Sequence, residues 1–266
     1  MYEFPVTGPV TTEIRIGDGR VDVTAEPGVS TATVAVAPLD DTDLSRDAAA
    51  RTTVELRGGK LFIKTPDIST GWLRRRGAGV GITVHVPAGG DLELRSASAD
   101  ATCSGAYRQA EVHTASGDVF VETVTGDFSV KTASGDVRMM RVNGSLKANS
   151  ASGDVSADTI DGSAVIHTAS GDVEIGTLGM GLRTTTASGD IRVGTLRRGA
   201  AKVNSASGDI SVGVVPGVGV WMDLTSMSGR TRSDLDPAGA PVNGAEPQVT
   251  LNLRTMSGDV VVSRGT

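Results

Sequence analysis

The stretch that decides the fold is TASGDVFVETVTGDFSVKTASGDV, residues 114–137. The string Thr/Ser-Ala-Ser-Gly-Asp recurs at 114–118, 132–136, 150–154, 168–172, 186–190 and 205–209. A degenerate copy, SASAD, stands at 96–100, and the variants SMSGR and TMSGD follow at 226–230 and 255–259. The closing residues Asp100, Asp118, Asp136, Asp154, Asp172, Asp190 and Asp209 are separated by five steps of 18 residues and one of 19. A fixed period of this length marks a repeat architecture.

The columns inside the period show what is repeated. After each Asp stands Val119, Val137, Val155, Val173, Ile191 or Ile210, and two positions on Val121, Met139, Ala157, Ile175, Val193 or Val212. Apolar residues at i and i+2 read as strands. Parity slips between Val121 and Val124, and again between Ser134 and Val137, so the chain bends at both places. Gly supplies the unusual φ at such corners and Asp or Ser bonds the local backbone. Two short strands and two corners cannot bury an apolar face alone. Stacked at ~4.8 Å, identical columns meet in ladders and close a continuous core. The pattern predicts an all-β, single-stranded parallel β-solenoid with ~18 residues per coil, right-handed by the usual hand of parallel crossovers.

Outside the regular repeats at 96–215 the same grammar is looser. Residues 1–95 are expected to form irregular N-terminal coils, with strands at 32–37, 53–57, 60–64, 82–86 and 91–95. DDTDLSRDAAAR at 40–51 is the one helix the pattern supports, acidic at its start and closing on Arg51. Residues 216–266 read as C-terminal coils interrupted by a loop at 236–247, and the whole chain, 1–266, as a single domain.

Composition narrows the function classes. Only eight of 266 residues are aromatic (four Phe, two Tyr, two Trp) while 35 are Gly, so the core must be thin and built from small and β-branched side chains. The net charge of −6 disfavours nucleic acid and anionic lipid as partners. Cys103 is the only cysteine, which excludes an internal disulfide and a multi-cysteine zinc site. The opening MYEFPVTGPV has neither the basic nor the apolar region of a secretory signal, and no apolar run is long enough for a transmembrane helix. The expected location is therefore the cytoplasm.

Taken together, the repeated TASGDV, the segment Val84-His85-Val86-Pro87-Ala88-Gly89, the run Pro216 to Leu224, SMSGRTRSDLD at 226–236 and RTMSGDVVVSR at 254–264 resemble the bacterial DUF4097 family. These are the "putative adhesin" β-strand-repeat proteins common in actinobacteria. The resemblance covers nearly the whole chain. It implies a β-helical fold and carries over no catalytic residues.

Candidate sites follow from the residues themselves. The column Asp118, Asp136, Asp154, Asp172, Asp190, Asp209 places carboxylates ~5 Å apart, repelling by roughly 0.8 kcal/mol at bulk-water dielectric. Turn chemistry, each Asp accepting backbone N–H groups, accounts for the column, with a row of cations as the alternative. His113 and His167 share one outward column but lie three coils apart, roughly 14 Å, too far to share an ion. His85 stands on another strand. The serines at 116, 134, 152, 170, 188 and 207 are equivalent to one another, whereas a nucleophile needs one specific base. Neither a catalytic site, a metal site nor a cofactor is expected.

Trp72, Arg74, Arg75 and Arg76 form the most unusual non-repeat segment, suited to an anionic or acidic partner. The terminal strand at Val260, Val261 and Val262 reads either as an open edge through which coils of two molecules pair or as a coil capped by the 236–247 loop or by residues 1–9. The reading is a non-enzymatic scaffold or interaction protein in which self-association, or a protein partner, uses terminal coil edges. An envelope-associated, adhesin-like protein binding carbohydrate or cell-wall polymer is the alternative.

Overall fold

A computed structural model describes residues 1–66, 78–235 and 248–265. The loop expected at 236–247 lies outside the described residues. The chain divides into two compact units, Met1–Met139 and Met140–Thr266, and both are built from parallel strands as the repeat predicts.

In the first unit the chain runs through β1 (Tyr2–Pro5), β2 (Thr11–Ile16), β3 (Asp18–Glu26), β4 (Thr31–Pro38), helix α1 (Asp43–Ala50), β5 (Thr53–Arg57) and β6 (Lys60–Lys64). It continues through β7 (Gly79–Pro87), β8 (Leu92–Ser96), β9 (Asp100–Tyr107), β10 (Ala110–His113), β11 (Val119–Val124) and β12 (Phe128–Lys131). Strands from alternate sides of each coil make two facing sheets, in the orders β1-β4-β7-β3-β9-β11 and β5-β6-β2-β8-β10-β12. The pairs β1–β4, β4–β7 and β5–β6 are antiparallel, a departure from the parallel stack that the periodic columns imply. Helix α1 starts at Thr42, whose side chain accepts the Ser45 N–H, with Asp43 in its first turn. It buries Ser45 and Ala48, and the Ser45 hydroxyl accepts the Gly79 N–H of β7 at 3.1 Å.

Strand β13 (Val137–Val142) carries the chain onward into the second unit. There follow β14 (Leu146–Asn149), β15 (Val155–Ile160), β16 (Ala164–His167), β17 (Val173–Leu178), β18 (Leu182–Ser188), β19 (Ile191–Leu196) and β20 (Gly199–Ser207). The last strands are β21 (Ile210–Val214), β22 (Val220–Ser226), β23 (Thr231–Ser233), β24 (Val249–Ser257) and β25 (Val260–Arg264). The sheet orders are β15-β17-β19-β21-β25-β23 and β14-β16-β18-β20-β24-β22. Like side chains meet like: Val173, Ile175 and Leu178 lie beside Ile191, Val193 and Leu196, all six buried. Each such side chain removed from water contributes about 1.5–3 kcal/mol, which is how a core with few rings holds together.

The corner TASGD explains itself in hydrogen bonds. Its first residue folds the turn: Thr114 Oγ1 accepts the Gly117 N–H at 3.0 Å, and Thr132 and Thr168 do the same for Gly135 and Gly171 at 2.9 Å. Its last residue joins coils. In the first unit the Asp118 N–H donates to Asp100 Oδ1 at 3.0 Å and the Asp136 N–H to Asp118 Oδ1 at 2.9 Å. In the second, the Asp172, Asp190 and Asp209 N–H groups donate to Oδ1 of Asp154, Asp172 and Asp190 at 2.8, 2.8 and 2.9 Å. The backbone carbonyl of each upper Asp accepts in return, as in Val173 N–H to Asp190 O at 2.9 Å.

The unusual φ that the sequence suggests for the corner glycines is found at Gly208 and Gly258, both at +144°, but the earlier corners need glycine for another reason. Gly117, Gly135, Gly171 and Gly189 are not among the positive-φ residues. A Cβ on any of them would instead run into the carbonyl oxygen of the equivalent residue one coil away, Ala99, Gly117, Gly153 and Gly171 respectively. Close stacking, not local conformation, selects glycine here.

The structure corrects the expected edge at Val260, Val261 and Val262. Strand β25 pairs with β21 on one side and β23 on the other, and Val260 and Val262 are fully buried. The last coil in sequence is therefore slotted inside the stack, between β20–β21 and β22–β23, and the outermost described coil of this unit is 220–235. The first unit shows the same device, with β3 held between β7 and β9 and β2 between β6 and β8.

The corner argument predicts that Gly171→Ala lowers the stability of the chain in urea by about 1–3 kcal/mol. Gly8→Ala, where an added Cβ meets nothing within 4 Å, should stay within about 0.5 kcal/mol of wild type. Equal effects of the two would contradict the stacking explanation.

Candidate functional site: the open terminal coil

Each interior coil has a neighbour above and below, so its inward side chains are covered twice. The coil 220–235 has one described neighbour. Strand β22 pairs with β24 in register, Val220 beside Val249, Met222 beside Leu251 and Leu224 beside Leu253. The three residues of β24 are fully buried, while Val220, Met222 and Leu224 are only half-buried. On the outer face Trp221 is 51 % exposed, and at the corner Met227 is 75 % exposed. Where the regular coils have alanine at this corner position, the outer two have Met256 and Met227.

Strand edges are ordinarily blunted by Lys, Pro or an uncompensated charge. The stretch VWMDLTS of β22 carries none of the first two, and its Asp223 is neutralised by Arg254 of β24 at 3.0 Å. Beside it, Arg230 stands where other corners have Asp. Its N–H donates to Asp259 Oδ1 at 2.8 Å, while the Asp259 N–H donates to Asp209 Oδ1 at 2.8 Å. The ladder thus runs 209, 259, 230 and ends on a residue that offers no carboxylate to a further coil.

The other sequence candidates fall as follows. Trp72, Arg74, Arg75 and Arg76 lie outside the described residues. Asp118, Asp136, Asp154, Asp172, Asp190 and Asp209 all belong to the corner ladder. Among the described residues no three His, Cys, Asp or Glu side chains converge as metal ligands. His113 pairs with Glu111 at 2.8 Å, His85 is exposed on β7, and His167 is exposed at the end of β16. The hydroxyls of Ser116 and Ser134 lie 3.5 and 3.4 Å from the carbonyls of Ala97 and Ala115, geometry for a weak corner contact. Cys103 is fully buried, and burial, with the charge of Asp22, pushes its thiol up to about 12. It stays protonated and unreactive at neutral pH.

Two polar clusters escaped the sequence reading. Tyr107 is buried and its hydroxyl lies 3.0 Å from the carbonyl oxygens of both Val23 and Ser104, tying β9 to β3. Burial holds this phenol above its ordinary range. Glu13 is nearly buried and contacts Lys60 Nζ and Arg15, each at 2.7 Å. Lys60 also reaches Glu93 at 3.1 Å. The hydrogen bond from Lys60 is the main influence lowering the Glu13 carboxyl below its ordinary range; burial opposes it and Arg15 assists. An alternating strand such as TTEIRI shows Glu13 facing outward, but Lys60 is 47 residues away. The pair appears only once β2 is known to lie against β6.

A carboxyl whose folded pKa is lowered contributes stability above its unfolded value, and that contribution is lost as pH falls through the folded value. Glu13→Gln should therefore lower the thermal midpoint at neutral pH, with the gap from wild type closing as pH falls below about 4.3. Parallel midpoint–pH curves would show that the Glu13–Lys60 contact contributes nothing.

Compared with known proteins, residues 11–263 match the family model described as Toastrack DUF4097. No curated protein sequence matches the chain. Solved structures resemble it over nearly their whole length at low identity. A putative adhesin from Bacteroides fragilis is 13 % identical, covering 98 % of this chain and 95 % of that one, with a TM-score of 0.46. A putative lipid binding protein from Parabacteroides distasonis is 14 % identical over 97 % and 95 %, with a TM-score of 0.48. A putative cell adhesion protein from Clostridium sporogenes is 8 % identical over 99 % and 98 %, with a TM-score of 0.23. With the match running through both units, from β2 to β25, the chain belongs to the DUF4097 Toastrack family.

Proposed function

We propose that the chain is a non-enzymatic interaction scaffold that assembles by adding a strand of a second copy to its open terminal coil. The observation that carries this reading is the incomplete cover of Val220, Met222 and Leu224, in a strand with no edge-blunting residue. A second β22 docked antiparallel about a two-fold axis would pair two identical edges and cover two identical apolar rows. Trp221 and Met227 flank that edge and add apolar area to the contact.

The reading predicts that molar mass by light scattering rises from monomer to dimer with concentration. Leu224→Lys, which turns a charge into the edge, should hold the protein monomeric and folded. Val261→Pro is expected to behave differently: it removes a donor from the interior strand β25 and should destabilise the second unit by at least ~2 kcal/mol. A monomer at every concentration, or a dimer that Leu224→Lys leaves intact, would contradict the reading.

A further inference from the structure

Four cationic residues and His113, five side chains in all, stand in one cross-strand row on the first unit. Parallel pairing places Arg15 beside Lys64 of β6 and Arg95 of β8. It then places Arg95 beside His113 of β10, and His113 beside Lys131 of β12. Four strand steps make the row roughly 19 Å long. It forms one wall of a groove of about 700 Å³, whose other lining comes from the corners and includes Ala97, Ala115 and Ala133. Among the described residues, every titratable side chain lining that groove is one of the five.

Their charges are not equally available. Arg15 pairs with Glu13 and His113 with Glu111, acidic residues one row away and outside the groove. Arg95 and Lys131 are exposed and have no partner of this kind among the described residues. They flank His113, so the uncommitted charge lies at two points two strand steps apart, within a longer cationic row. The three alanines beside them are exposed and offer a flat strip of methyl groups along the same axis.

We infer that this groove binds a linear carboxylated polysaccharide of the polyuronate kind. In an extended two-fold chain each sugar advances about one strand spacing and neighbouring carboxylates point to opposite sides, so alternate carboxylates face the protein and fall in step with Arg95 and Lys131, two strand steps apart. The C–H faces of the rings then lie on the alanine strip. Nucleic acid fits less well. Duplex DNA carries phosphates every ~3.4 Å along a strand, denser than the row, and single strands are held by stacking on rings, of which the groove has only that of His113. The net charge of −6 opposes polyanions over the chain as a whole, so the attraction at this groove is a local property of the row.

The test is binding of a narrow-length polygalacturonate fraction to the full chain by calorimetry, with dextran, polyphosphate and a single-stranded oligodeoxynucleotide as comparators. Polygalacturonate should bind, weaken as salt rises, and weaken at least about tenfold in an Arg95→Glu/Lys131→Glu variant of unchanged thermal midpoint. Lys147→Ala, an exposed cation on β14 of the second unit, should bind like wild type. No binding of polygalacturonate, equal binding of dextran, or equal binding by the double variant would overturn the assignment. Tighter binding of polyphosphate or the oligonucleotide would overturn it too, giving the groove to phosphate chains instead. The variant leaves the coil 220–235 untouched, so light scattering on the same samples separates failure here from failure of the assembly reading.

Discussion

At each corner the backbone carbonyl of one Asp accepts the N–H that follows the equivalent Asp of the adjoining coil, but the Asp N–H itself is left needing a side-chain acceptor. The aspartate that closes each corner supplies one. Its Oδ1 takes the N–H of the equivalent residue in the adjoining coil, at 2.8–3.0 Å in every case described. These bonds lie at exposed corners and compete with water, so each contributes about 0.5–1.5 kcal/mol, a modest gain that recurs at each coil. The N–H dipole also offsets the repulsion between stacked carboxylates. The ladder hydrogen bonds give each repeated Asp a role in joining coils.

The rest of the architecture depends on that contact. Coils brought close enough for Oδ1 to reach the next N–H leave no room for a Cβ at the preceding position, hence the glycines. The same closeness sets identical apolar columns against one another, so Val, Ile and Leu suffice for the core. It also fixes register, because a slip of one residue would break the ladder and turn every inward side chain outward. Within each unit the in-register stack then displays its outer columns at a constant step. The surface character of each column follows from sequence: Arg95, His113 and Lys131 in the first unit give way to Asn149, His167, Thr185 and Asn204 in the second.

Coil, corner and inward columns were legible because each is a property of one period. The order of the end coils is a relation between distant segments. Periodicity does not encode it, since SMSGR at 226–230 and TMSGD at 255–259 carry the corner motif but follow at steps of 21 and 29 residues, outside the regular period. The one local sign is chemical. Asp259 retains the acceptor an interior coil needs, whereas Arg230 lacks it, as suits a coil with no described coil beyond. The antiparallel pairs at β1, β4 and β5 and the Glu13–Lys60 contact were hidden for the same reason: they depend on which strands meet, and residues 1–95 carry no regular repeat to say so. The cationic row was half visible, as a column through Arg95, His113 and Lys131, but Arg15 and Lys64 join it only through the inserted position of β2.

The most direct measurement is amide hydrogen exchange by nuclear magnetic resonance on wild type and Asp209→Ala. If the ladder runs from Asp209 to Asp259 and then to Arg230, removing the Asp209 carboxylate should accelerate exchange at the Asp259 amide and leave Arg230 as it was. Acceleration at Arg230 with Asp259 unchanged would mean that the coils stack in chain order, and no change at either would mean that the carboxylate does not hold the next coil.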